Sequence, residues 1–294
     1  MENFKRLTRK DIPIIEPYFE KASSLCCDCS IGGCFIWRDY FETQYAIIDE
    51  TLVFCIVLEG KTRYTYPIGK NVDAAFSLIE KHSITNNTNL EFFVFSQDDL
   101  LSLKKRYPSY EAESKREYYD YVYDYKSMCD FRGKKFSGQR NHINKFKRLY
   151  ENYSFEEINE ENKKELSDFF ARFTAKSDKK SPAIEAERVK IFEVLENMNE
   201  YRQFGGILRV DGSIVGFSIA EKIKETMFVH IEKADISYDG VYQMLVSCFA
   251  SHFADENVIY INREDDTGDE GLRKSKLSYH PLFLIEKHVF SVKK

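Results

Sequence analysis

The stretch GGILRVDGSIVGFSIAEKIKETMFVHIEKAD (205–235) constrains the fold of this chain more than any other. Asp211-Gly212 stands between apolar runs, and such a pair is the strongest short-range hairpin signal a sequence offers. Three antiparallel strands follow from it. Past Gly240 the apolar spacing becomes helical, with Val241, Met244, Leu245, Cys248, Phe249 and His252 on one face, and VIYIN (258–262) then reads as a buried strand. A meander that passes through a helix into a further strand requires that strand to run parallel to its predecessor, because antiparallel neighbours need only a tight turn.

The flanking segments complete the order. YSFEEI (153–158) is a short strand, Leu166, Phe169, Phe170 and Phe173 mark one helix, and Ile191, Phe192, Leu195 and Met198 mark a second beyond the polar linker AKSDKKSP (175–182). GLRKSKL (271–277) reads as a short helix and LFLIEKHVFSV (282–292) as the last strand. Strand, two helices, three strands, helix, strand, helix, strand is the element order of the acyltransferase fold of the N-acetyltransferase superfamily, an α/β fold with a mixed sheet. The first half repeats the order. FKRL (4–7) is its first strand, DIPIIEPYFEKA (11–22) and FIWRDYFE (35–42) its paired helices, and QYAII (44–48), LVFCIVLE (52–59) and TRYTYPI (62–68) its meander. Val72, Ala75, Phe76 and Ile79 mark the crossover helix, LEFFVFS (90–96) the parallel strand, DDLLSLKKRY (98–107) a helix and EYYDYVYDY (117–125) the closing strand. At 294 residues the chain suits two domains better than one core. Two tandem domains from a duplication are expected, over 1–128 and 129–294, with the candidate site in the second.

No apolar run approaches the roughly 18–20 residues that cross a bilayer, and MENFKRLTRKDIPII lacks a secretory apolar stretch, so the expected location is the cytoplasm. Cys55, Cys129 and Cys248 sit singly in regular segments and read as reduced thiols; Cys26, Cys27, Cys29 and Cys34 lie close together, yet no second Cys or His pair follows at zinc-ligand spacing, so no metal is expected. Trp37 reads as a packing residue.

Net charge is −5, so an anionic partner needs a local basic patch. One exists. Between Asp130 and Glu151 there is no acid, while Arg132, Lys134, Lys135, Arg140, Lys145, Lys147 and Arg148 are basic. In a helix, Arg140, Asn144, Lys147 and Arg148 share an arc beside Ile143, Phe146 and Tyr150, which suits a phosphate or RNA backbone as well as a solvated surface. In FVHIEK, alternation puts Phe228, His230 and Glu232 on one face, and His230 or Glu232 is a candidate base. VIYIN delivers Asn262, Arg263, Glu264, Asp265 and Asp266 at its carboxyl end, where open α/β sheets bind ligands. Glu264 and Asp265 are catalytic candidates, Asn262, Arg263 and Asp266 substrate-binding ones, the acids for an ammonium and Arg263 for a carboxylate or phosphate. The plain alternative is a polar loop whose acids cap the next helix. Arg273, Lys274 and Lys276 follow as a basic half for a phosphate, or as partners of those acids, and Tyr279 is either a proton donor or a core tyrosine. Gly240 opens a helix whose free N–H groups suit a phosphate.

The stretches YDYVYDYKSMCDFRGKKFSGQRNHINKF (119–146) and YINREDDTGDEGLRKSKLSYHP (260–281), with CSIGGCFIWRDYF (29–41), resemble the signature regions of the family named for the C-terminal domain of phosphatidylglycerol lysyltransferases. The resemblance implies tandem acetyltransferase-like domains and, from the lysyltransferases, transfer of an aminoacyl group from tRNA to a lipid head group. Members that use coenzyme A carry several glycines and a basic residue at the crossover turn, whereas ADISYDGVYQ (234–243) has a single glycine beside Asp235 and Asp239. Aminoacyl-tRNA is therefore favoured over coenzyme A as donor, with tRNA or a phosphate-bearing small molecule as partner. The leading expectation is an acyl- or aminoacyltransferase acting on an amine or hydroxyl. The competing one is a noncatalytic RNA- or phosphate-binding module, which keeps the basic stripe without an enclosed site.

Overall fold

The computed structural model describes residues 4–22, 25–175, 181–253 and 256–293. The chain opens with β1 (Lys5–Arg6), α1 (Ile12–Phe19) and α2 (Ile31–Ile36), then β2 (Gln44–Ile48), β3 (Thr51–Leu58), β4 (Lys61–Thr65) and β5 (Ile68–Gly69). Next come α3 (Val72–Thr85), β6 (Glu91–Val94), α4 (Gln97–Arg106), β7 (Tyr110–Ser114) and β8 (Asp120–Asp124). The chain continues through α5 (Tyr125–Asp130), α6 (Ser137–Leu149), β9 (Tyr153–Glu157), α7 (Lys163–Ala175) and α8 (Pro182–Glu196). After β10 (Phe204–Val210), β11 (Ser213–Ile223) and β12 (Thr226–Ala234) it ends with α9 (Val241–His252), β13 (Tyr260–Asn262), α10 (Glu270–Ser278), β14 (Phe283–Ile285) and β15 (His288–Val292).

Two compact units result: residues 1–120 with 285–294, and residues 121–284. The sheet of the first runs β1-β2-β3-β4-β6-β15-β7, with β5 beside β3. That of the second runs β14-β8-β13-β12-β11-β10-β9. In each, a meander is followed by a helical crossover into a parallel strand, β4 to β6 and β12 to β13. The Asp211-Gly212 hairpin has φ of 49° and 77°, the paired positive values of the expected tight turn.

The boundary differs from the expected single cut at 128/129. EYYDYVYDY was expected to close the first half; instead its Asp120–Asp124 core pairs with β13 in the second sheet. LFLIEKHVFSV breaks into β14 and β15, and β15 completes the first sheet between β6 and β7. Slot by slot the sheets correspond, but each takes its sixth strand from the far end of the other half. Periodicity identifies a strand without naming its neighbour, which is why the sequence could not show this. A smaller correction concerns FIWRDYFE: helix α2 lies earlier because the Ser30 hydroxyl accepts from Gly33 N at 3.0 Å and starts the helix at Ile31.

Each unit has its own core. In the first, Phe76 and Ile79 of α3 and Leu100 and Leu103 of α4 pack with Val53, Tyr64, Phe92 and Phe290. In the second, Met244, Leu245 and Phe249 of α9 pack with Leu208, Met227 and Ile261.

Candidate active site

Strands β12 and β13 pair only from Thr226–Tyr260 to Phe228–Asn262, although β12 continues to Ala234. Beyond Phe228 the two therefore part. The register of β12 against β11 also shifts, Ile231 facing Ile219 and Val229 facing Ala220, so His230 is the extra residue of a β-bulge. A bulge re-aims the side chain it carries. His230 points between two carboxylates, with Nε2 2.7 Å from Glu221 Oε1 and Nδ1 2.7 Å from Glu264 Oε1. Burial alone would lower its pKa, but the two glutamates outweigh it and raise it to about 9. At neutral pH His230 is a clamped imidazolium, and in that state it is no base.

Across the same opening, Arg263 Nη2 donates to Glu232 Oε1 at 2.5 Å. The guanidinium carbon lies 4.6 Å from the Tyr279 ring centroid and 5.7 Å from that of Tyr123. Burial works against the charge of Arg263, and Glu232 more than restores it, so its pKa stays above the ordinary arginine value. Arg263 Nη1 and Tyr279 Oη are buried without a hydrogen-bond partner.

The acidic loop organises itself. Asn262 Oδ1 accepts from Glu264 N at 2.7 Å, which supports the left-handed Glu264, φ 56°. Asp265 accepts from Thr267 N, and Asp269 caps α10 through Leu272 N, as in the capping alternative. Asp266 is buried and receives Arg273 through two bonds of 2.8 and 2.7 Å, Tyr121 Oη at 2.5 Å and Gly268 N at 3.0 Å. Burial pushes its pKa up, yet these donors hold it at about 2. Lys276 turns inward and donates to the carbonyls of Arg263 and Asp265. Arg273 and Lys276, expected to meet a phosphate, thus have partners inside the loop, whereas Lys274 is exposed.

In the basic segment, Lys134, Lys135, Asn144, Lys147 and Arg148 are exposed, while Arg140 Nη1 donates to the carbonyls of Phe131 and Gly133. Gly240, at φ 80°, has a packing reason: a Cβ there would stand 2.3 Å from the His142 carbonyl oxygen on α6.

Sequence reasoning missed Glu221, whose signal is the one carboxylate of β11, standing directly after the mostly apolar run SIVGFSIA (213–220). It also missed a buried cluster in the first unit. Lys287 Nζ lies 2.5 Å from Asp28 Oδ2, 2.8 Å from Asp120 Oδ1 and 3.6 Å from Cys27 Sγ. Cys26, Cys27 and Asp120 offer three ligand atoms within 4.8 Å of one another, a donor set that suits a thiophilic cation. The ammonium of Lys287 already stands against both carboxylates, and burial and the nearby carboxylates push the Cys26 thiol pKa upward. All seven cysteines are thiols.

Comparison with known proteins matches the model described as "Phosphatidylglycerol lysyltransferase, C-terminal" to residues 25–290. An uncharacterised protein of Mycoplasmoides gallisepticum is 26% identical over 179 residues, 59% of this chain and 56% of that protein, so the chain spans little more than half of that curated relative. A crystal structure of a conserved protein of unknown function from Bacteroides thetaiotaomicron is 33% identical over the whole of both chains, with a TM-score of 0.93. The structure of L-PGS from Bacillus licheniformis is 14% identical over 96% of this chain and 92% of that one, with a TM-score of 0.67, a likeness of fold. Both units have the acyltransferase fold expected from their element order.

Proposed function

Because the chain belongs to the family of phosphatidylglycerol lysyltransferase C-terminal domains, we propose that it transfers an acyl or aminoacyl group, with aminoacyl-tRNA as donor in preference to coenzyme A, onto an amine or hydroxyl acceptor in the cytoplasm. One observation carries this reading: the opening between β12 and β13 is filled by His230, Glu232, Arg263 and Glu264, charged groups held in a mostly buried place. Charges removed from water cost free energy unless paired, and groups so arranged at the carboxyl ends of parallel strands are commonly retained for chemistry. In this reading Glu232 takes the proton of the attacking acceptor, and the His230 imidazolium fixes Glu264 and the loop behind it.

The exposed Lys134, Lys135, Lys147 and Arg148 support contact with the donor's phosphate backbone. The same stripe supports the binding-module reading, which predicts tRNA binding without transfer. The correspondence of the two strand orders supports descent from a duplicated domain. Among the described residues no helix is long and apolar enough to cross a membrane.

The test is transfer of labelled amino acids from a charged tRNA pool to an amine and hydroxyl panel, with acetyl-coenzyme A in a parallel arm. Label should become stable to mild base for the amine acceptors, and Glu232→Gln should lower the rate about 100-fold while the protein still melts cooperatively. Folded wild type that binds tRNA but transfers nothing to either class of acceptor from either donor would leave the binding module standing.

A further inference from the structure

Most buried polar groups in the second unit are satisfied, and the exceptions at the candidate site fall together. Arg263 Nη1 and Tyr279 Oη have no partner, although the Arg263 side chain is 10% exposed and Tyr279 only 1%. Burying a donor that bonds nothing is costly, so a fold that keeps two of them side by side, guanidinium over phenol ring, holds them for an acceptor that arrives later. The rest of the assembly is fixed. Nη2 is tied to Glu232, the Tyr279 ring lies edge-on to that of Tyr123, and the Tyr123 hydroxyl is spent on the Lys276 carbonyl. With Nη2 and the Tyr123 hydroxyl already engaged, the two unpartnered donors, both shut off from solvent, are the groups left to receive an oxygen once it gains access to this buried place, where hydrogen bonds to developing charge count most.

Resting on the transfer reading above, we infer that Arg263 Nη1 and Tyr279 Oη are the two donors that receive the carbonyl oxygen of the transferred acyl group. The acceptor's amine or hydroxyl lone pair attacks the carbonyl carbon of an ester donor, and the carbon–oxygen π pair moves onto the oxygen between the two donors. When the carbonyl re-forms, the bond to the ester oxygen breaks, and that oxygen leaves with a proton equivalent to the one Glu232 took from the nucleophile. Amide or ester and free alcohol are the products, with no redox change.

Tyr279→Phe separates this role from a structural one. Removing a hydroxyl that bonds nothing leaves the melting temperature unchanged or raises it, while kcat falls about 100-fold with KM for the donor nearly unchanged. Arg263→Lys, which keeps the charge and loses the fork, gives a comparable loss of kcat. A second readout is independent of turnover: binding of α-aminophosphonates, whose tetrahedral anion mimics the attacked carbonyl, weakens at least tenfold in both variants. Transfer at the wild-type rate by Tyr279→Phe overturns the inference and leaves the transfer reading intact. Phosphonate binding that is lost in the variants of a protein that transfers nothing keeps the oxyanion site and removes the transfer reading. A Tyr279→Phe variant that is less stable and binds phosphonates as tightly as wild type assigns the hydroxyl to a buried water and overturns the proposal.

Discussion

His230 shows how one residue takes its properties from what surrounds it. Its pKa of about 9 lies above the ordinary 6.5, so its contribution to stability is fully present below 6.5 and is lost as pH rises through 9. The contribution amounts to about 3 kcal/mol at most. Urea unfolding at pH 6 and pH 9.5 should therefore show wild type losing stability that His230→Gln never has, with the variant's difference between the two pH values reduced. Equal pH dependence in both proteins would mean that the imidazole is neutral between its glutamates. The same logic explains why Asp266 is no free ligand for a substrate ammonium: with Arg273, Tyr121 and Gly268 all donating to it, its charge already serves the loop.

At the scale of elements, two glycines with positive φ behave differently. Gly212 in the β10–β11 hairpin has nothing within 4 Å of a Cβ position, whereas Gly240 at the start of α9 faces the His142 backbone of α6. Gly212→Ala should cost about 1 kcal/mol, from the backbone conformation alone. Gly240→Ala adds a clash with a carbonyl that cannot swing aside, for a total of about 3 kcal/mol, read as a lower melting temperature. Similar losses at the two positions would show that α6 yields, and with it the packing account of how α9 begins.

For the whole molecule, the exchange of β8 and β15 sets which pieces can stand alone. Residues 121–284 contain every strand of the second sheet except the last residue of β14 and the first of β8, so that fragment should unfold in one cooperative transition. Residues 129–294 follow the division suggested by sequence, yet they lack β8 and leave β13 with an unpaired edge. That fragment should give a broad transition or aggregate. Circular dichroism across a urea series distinguishes them, and a 129–294 fragment as cooperative as 121–284 would show that β8 is dispensable.

The local signals in the sequence determined a good deal: the hairpin at Asp211-Gly212, the helical faces of α3, α7, α8 and α9, the parallel crossover, and the delivery of Arg263 to Asp266 at a strand end. Each depends on residues within a few positions of one another, where spacing and chemistry suffice. Tertiary structure alone decided that β8 and β15 change sheets, that His230 is a bulge residue held by Glu221, that Lys276 faces inward, and that Asp120 and Lys287 join Cys27 from 93 and 260 residues away. Those outcomes depend on which surfaces meet and which charges lose their water, and the free energy of such contacts belongs to pairs that no local pattern identifies.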